Sequence, residues 1–145
     1  MELFLGIDAG GTSTRALLAT PAGERAGQGL AGGGNPVAHG VEAALAAITT
    51  AVRQALGDVD PRRVADGVIG LAGLGALEDP AVHAAFGRAW AACGLRFPVR
   101  AVEDPLLAGT GAGALRVEDR RVTRVGDALG WLLGDEGSGF WLGRA

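Results

Sequence analysis

The chain has 145 residues, 48% apolar and 20% charged, with 13 basic against 16 acidic side chains and a net charge of −3. That is the balance of an ordinary globular domain, and it lacks the basic footprint that binding to DNA or RNA requires. Every basic residue is arginine, which excludes a Walker-A phosphate loop with its lysine, and the single cysteine, Cys93, excludes an internal disulfide or a cysteine-built metal cluster within one chain.

From the N-terminus, residues 3–8 form a short apolar run ending in Asp8 and predict a buried strand. Ala9-Gly10-Gly11-Thr12 is a turn, Thr14 to Ala19 a second strand, Pro21-Ala22-Gly23-Glu24 a hairpin turn, and Ala26 to Ala31 a third, weaker strand. Three strands joined by tight turns make an antiparallel meander. After the loop Gly32-Gly33-Gly34-Asn35-Pro36, apolar residues at Val41, Leu45, Ile48, Val52 and Leu56 predict a helix over 40–56 with one face on a sheet and a left-handed cap at Gly57. Val68 to Ala72 predicts a buried strand, followed by Gly73 and Gly75. Pro80 opens a second helix with Val82, Phe86, Trp90 and Cys93 on one face, Gly94 closes it, and Phe97 to Val102 is a further strand ending at Glu103-Asp104. A meander followed by helix-crossover strands gives an α/β mixed sheet with the layout of a ribonuclease-H-like domain. Beyond it, Leu106 to Gly111 reads as a strand entering a glycine turn, and Val122 to Val125 as its partner. Asp127 to Gly139 is a second glycine-rich segment.

Two constellations carry chemistry. In Gly6-Ile7-Asp8-Ala9-Gly10-Gly11-Thr12 a strand delivers one carboxylate, and two glycines then let backbone N–H groups close on an anion without β-carbon interference. Thr12 adds a hydroxyl donor, and Asp8 could hold magnesium through water. Read alone, the same residues also fit a plain hairpin with Asp8 capping its turn. Ala108-Gly109-Thr110-Gly111-Ala112-Gly113 repeats the design, and two such turns facing each other would grip a nucleotide tail from both sides.

Two strand-turn phosphate motifs with an acidic strand end between them resemble the hexokinase/actin/heat-shock-chaperone ATPase superfamily. The segment Gly130-Trp131-Leu132-Leu133-Gly134-Asp135-Glu136-Gly137-Ser138-Gly139-Phe140-Trp141-Leu142-Gly143 narrows this to its N-acetylglucosamine kinase branch, with the bacterial glucosamine kinases. The resemblance covers residues 3–143 in the family's order. It implies ATP and Mg2+ as cofactors and an amino sugar, phosphorylated at its 6-hydroxyl, as substrate. It places Gly10, Gly11, Thr12, Gly109, Thr110 and Gly111 on the ATP phosphates and Asp8 at the metal. Asn35, Gly73 and Asp135 fall beside the sugar, and Asp104 on the catalytic aspartate, which also touches the sugar. A carboxylate that accepts the proton of a sugar hydroxyl is typically worth ~10²–10⁴ in rate. A sugar rim also wants acceptors such as Asp135 and Asn35. The resemblance further implies a cytoplasmic enzyme with no nucleic-acid or membrane partner and allows a homodimer. The start of the chain lacks a secretion signal, and no apolar run of about 18 residues spans a membrane.

The sequence departs from the family in two ways. Only Pro105 and Leu106 separate Asp104 from the next strand, where parallel strands need a crossover of about a dozen residues. The chain also stops at Ala145 as a helix begins. The expected organisation is therefore a lobe over 1–105 and the beginning of a second over 106–145, with poor activity for this polypeptide by itself. Plainer readings stand beside these. Asp104-Pro105 and Asn35-Pro36 also fit turns, and Asp135 fits a helix cap. His39 and His83, which lack partners at metal-ligand spacing, read as surface or loop residues, Trp131 and Trp141 as core or interface aromatics, Arg120 and Arg121 as a solvated turn, and Cys93 as a small core hydrophobe. Rival functions are a non-kinase ATPase of the same superfamily, such as an activator that drives electrons into acyl-CoA dehydratases through a cysteine-held cluster, and a sugar-binding module without catalysis.

Overall fold

The structure, a computed structural model, describes residues 2–98, 100–103, 114–118 and 121–126. It divides into two compact units, Met1–Glu103 and Asp104–Ala145.

In the first unit, strands β1 (Leu3–Ala9), β2 (Thr14–Ala19), β3 (Arg25–Ala31), β4 (Val64–Leu71) and β5 (Arg100–Glu103) form one sheet in the order β3-β2-β1-β4-β5. β1 pairs antiparallel with β2, and β2 with β3. β4 runs parallel to β1, and β5 parallel to β4. This is the ribonuclease-H-like α/β layout expected from the element order. Helix α1 (Pro36–His39) and helix α2 (Val41–Leu56) lie between β3 and β4, and helix α3 (Pro80–Ala92) between β4 and β5. Short 3-10 turns at Pro61–Arg63 and Leu74–Glu78 precede β4 and α3.

The strand period of two decides which face is buried. Leu3, Leu5, Ile7 and Ala9 of β1 point the same way as Ala16 and Leu18 of β2 and Ile69 and Leu71 of β4. Ile48, Val52 and Leu56 from α2 and Phe86 and Trp90 from α3 close over them in one core. Cutting such a buried aliphatic side chain back to alanine typically costs about 2–5 kcal/mol. Both long helices cover this face. The opposite face carries Phe4, Leu17, Leu30 and Val68, all exposed, together with Asp8, whose register partners are Arg15 and Gly70.

Helix α2 comes close to β3 because β3 offers no side chains in the way. A β-carbon on Gly27 would collide with the carbonyl oxygen of Ala55, and one on Gly29 with that of Ala51. Gln54 then accepts the N–H of Leu30 at 2.9 Å, satisfying a main-chain donor of the outer strand.

Several expected bounds shift. β4 starts at Val64 rather than Val68, because Val64, Asp66 and Gly67 already pair with Leu3, Phe4 and Leu5 of β1 before the pairing with β5 begins at Val68. β5 starts at Arg100 rather than Phe97. Gly57 takes a positive φ of 50°, but its ψ of −121° lies outside the left-handed helical region. The second unit contains a hairpin of β6 (Ala114–Glu118) and β7 (Arg121–Gly126), antiparallel. The partner of the strand expected at Val122–Val125 is thus Ala114–Glu118. The strand expected at 106–111 lies outside the described residues.

Candidate active site

The candidate site forms at the carboxyl ends of the parallel strands, where open α/β sheets bind ligands. β1 ends at Ala9, whose carbonyl accepts the N–H of Ala72 at 3.0 Å, so the ends of β1 and β4 stay side by side. β5 reaches the same level, because Glu103 is the register partner of Leu71.

Asp8 stands one residue before the end of β1, with Oδ1 shielded from solvent. The turn after it is closed by the Gly10 N–H, which donates to the Ser13 carbonyl at 3.0 Å. Gly11 and Thr12 at its tip are exposed, and their N–H groups donate to no acceptor among the described residues. A β-carbon on Gly11 would meet nothing within 4 Å. Exposed, consecutive N–H groups on a tight turn are what an anion requires.

The glycine loop after β3 folds down onto this turn. Thr14, fully buried, donates its hydroxyl to the Gly32 carbonyl at 2.8 Å. The Gly34 N–H donates to the Gly10 carbonyl at 2.9 Å. Gly34 must be glycine for space, since a β-carbon there would lie 2.5 Å from Thr14 Oγ1 and 2.8 Å from Ala9 Cβ.

Asn35 follows as the N-cap of α1. Its Oδ1 accepts the N–H groups of Val37 at 2.9 Å and Ala38 at 3.2 Å, and Pro36 occupies the first helical position. Asn35 was expected to serve a sugar rim as an acceptor. Its oxygen is committed to the cap, so its amide nitrogen, a donor, is the group left for a ligand. Gly73, after β4, has a left-handed φ of 79°. A β-carbon there would stand 2.6 Å from Asn35 Oδ1 and 3.0 Å from Val37 Cγ2. The structure therefore brings Asn35 and Gly73, 38 positions apart in sequence, into direct contact beside the turn that follows Asp8.

Of the residues selected from sequence, Asp8, Gly10, Gly11, Thr12, Asn35 and Gly73 lie at this one end of the sheet. Asp104, Gly109, Thr110, Gly111 and Asp135 lie outside the described residues. Sequence reading missed Thr14 and His39. His39 is exposed, as a surface residue should be, and its Nε2 sits 2.5 Å from the Gly11 carbonyl, a partner 28 residues away that no local spacing reveals.

The donor set suits magnesium carried by a nucleotide. Among the described residues no three acidic, imidazole or thiol groups converge. Asp8 thus offers one hard oxygen ligand, and magnesium bound with substrate phosphates typically takes one or two carboxylates and keeps several waters.

A separate cavity of about 730 Å³ lies on the helix-covered side between α3 and β4–β5, lined by Ile69, Phe86, Trp90 and Phe97 among others. It is mostly apolar and touches none of the selected residues, so the chemistry is assigned to the strand ends. Cys93 is buried beside it in the core, and burial pushes its thiol pKa up. Among the described residues no helix is long and apolar enough to cross a membrane.

The sheet order, with an antiparallel meander on one side and parallel strands on the other, is a ribonuclease-H-like layout with one carboxylate near the end of β1 and open N–H groups after it. The chain matches the BadF/BadG/BcrA/BcrD ATPase family over residues 5–145 and belongs to it. It is 38% identical over 86 residues to glucosamine kinase GspK of Vibrio cholerae serotype O1, a match covering 58% of this chain and 29% of that protein. The matched part thus spans less than a third of that curated relative's length. A solved structure from Chromobacterium violaceum, provisionally named an N-acetylglucosamine kinase, superposes with a TM-score of 0.49 at 19% identity, covering 99% of this chain and 55% of that one.

Proposed function

We propose that this chain provides the phosphate-gripping and sugar-holding lobe of an ATP-dependent amino-sugar kinase, one that transfers the γ-phosphoryl group of ATP to the 6-hydroxyl of glucosamine or N-acetylglucosamine. The observation that carries this reading is the placement of the open Gly11 and Thr12 N–H groups beside Asp8 and next to the Asn35–Gly73 pair. Membership of an ATPase family and the likeness to a glucosamine kinase support it.

In this reading Gly10, Gly11 and Thr12 bind the ATP phosphates through backbone N–H groups and the Thr12 hydroxyl. Asp8 holds magnesium, which neutralises charge on the transferring phosphoryl group. The Asn35 amide nitrogen donates to a sugar oxygen, and Gly73 keeps the floor of that pocket low. Asp104 accepts the proton of the attacking hydroxyl, and Asp135 accepts from another sugar hydroxyl. Gly109, Thr110 and Gly111 provide the second phosphate turn. A cytoplasmic setting, with its ATP supply, accompanies this proposal.

The family's name equally covers ATPases that are not kinases. For an electron-driving activator, the cysteine that these residues offer to a cluster is Cys93, which would bind as a thiolate. It is 6% exposed, and burial favours its protonated form. That observation favours the kinase reading.

Titration calorimetry with Mg·ATP, glucosamine and N-acetylglucosamine tests the proposal. Saturable binding of Mg·ATP and of one amino sugar is expected, with little turnover by these 145 residues alone in a coupled ATP assay. Sugar binding without any nucleotide binding would reduce the chain to a sugar-binding module. Binding of neither would end the kinase reading.

A further inference from the structure

The turn that follows Asp8 does not set its own direction; the segment carrying α1 does. The carbonyls of Gly10 and Gly11 both accept from that segment, the first from the Gly34 N–H at 2.9 Å and the second from the His39 ring. In a planar trans peptide unit the C=O and the N–H of the next residue point in opposite directions. Holding the Gly10 carbonyl therefore turns the Gly11 N–H outward, and holding the Gly11 carbonyl turns the Thr12 N–H outward. These are the two N–H groups that donate to nothing among the described residues.

We propose that His39 is a positioning residue: its Nε2–H holds the Gly11 carbonyl and so presets the Thr12 N–H for a phosphate oxygen, an inference that rests on the phosphate reading of this turn. A carbonyl partner requires a proton on Nε2, which selects that tautomer in the neutral ring. The ring is held in place by its surroundings. A β-carbon on Gly33 would run into His39 Nε2 and Cδ2, so the imidazole lies against bare backbone. His39 is the last residue of α1 and donates its own N–H to the Asn35 carbonyl at 3.0 Å. One helical turn thus carries the sugar-side Asn35 at its start and the phosphate-side anchor at its end. An oriented N–H group reduces the ordering required when the anion arrives, which is the general benefit of preorganisation.

His39→Gln and His39→Asn separate this role from bulk effects. The Gln amide nitrogen reaches about as far as Nε2, whereas the Asn amide nitrogen stops near the position of Nδ1. Both are polar, and His39 is exposed, so both variants should fold. Calorimetry with Mg·ATP and with N-acetylglucosamine and glucosamine, alongside thermal melting, gives the readout. His39→Asn should weaken Mg·ATP binding about tenfold, the loss expected for one hydrogen bond to a charged ligand's site. His39→Gln should stay within about threefold of wild type, by the same measure of one retained hydrogen bond. Sugar affinity and melting temperature should be alike in the two variants. Equal Mg·ATP affinity in both variants, whether reduced or unchanged, would overturn the role of His39. A wild-type chain that fails to bind Mg·ATP would instead overturn the phosphate reading beneath it.

Discussion

In β3, a β-carbon on Gly29 would strike the backbone of α2, whereas in the turn after β1 a β-carbon on Gly11 would meet nothing within 4 Å. Both are glycines in a glycine-rich first third of the chain, and their sequence settings, a turn after Asp8 and a weak strand, do not show which of them the packing requires. Gly29 is explained by the fold alone, because helix and strand touch backbone to backbone there. Gly11 is not needed for space inside the protein, and its φ lies outside the left-handed region that would demand glycine. What remains is close access to its N–H group from outside, which is the property a phosphate-binding turn needs. At Gly11 that open side lies beside Asp8 and the Thr12 N–H, which is what sets it apart from a glycine that is merely exposed.

The largest effect that sharpens this contrast is on stability. Gly29→Ala should cost about 3 kcal/mol, the upper part of the range for overpacking, because the obstacle is the Ala51 carbonyl rather than a movable side chain. Urea denaturation measures it, and a loss under about 0.5 kcal/mol, the size of an ordinary surface substitution, would mean that α2 does not lie on β3 as described. Gly11→Ala should leave stability within about 0.5 kcal/mol of wild type and yet reduce Mg·ATP affinity about tenfold, as for one weakened charge-assisted contact. A Gly11→Ala chain that binds Mg·ATP normally would erase the distinction between the two glycines. The smallest effect probes the closed side of the sheet. Burial holds the Cys93 thiol above its ordinary pKa, so its modification by a thiol reagent at pH 8 should be slow and should track global unfolding. The sign for stability follows. The folded thiol has the higher pKa, so its contribution is complete below the unfolded pKa and is lost as pH rises through the folded value. Rapid labelling of native protein at pH 8 would contradict this.

Much of the fold was legible because its signals are periodic. The stripe from Val41 to Leu56 and the face through Phe86, Trp90 and Cys93 gave both long helices nearly to the residue. The short apolar run over residues 3–8 gave the strand that carries Asp8. What escaped depended on tertiary context. The first half of β4, Val64 to Gly67, shows as strand only through its pairing with β1. Asn35-Pro36 was read as a turn, although an Asn cap before a first-turn proline is also a helix start, and α1 is too short to show a period. Nor does sequence show that the Asn35 oxygen caps its own helix, accepting the Val37 and Ala38 N–H groups. The 28-residue separation of His39 and Gly11, and the 38 between Asn35 and Gly73, place those contacts beyond any local reading.

The central claim is that the turn after Asp8 receives the phosphates of ATP. Backbone amide resonances of the 15N-labelled chain, followed as Mg·ATP is added, test it residue by residue. The account predicts saturable shifts largest at Gly11 and Thr12, extending to Asp8, Gly34 and His39, with Gly27 and Gly29 unmoved. Shifts centred on the cavity beside Phe86 and Trp90, or no saturable shift at Gly11 and Thr12, would contradict it.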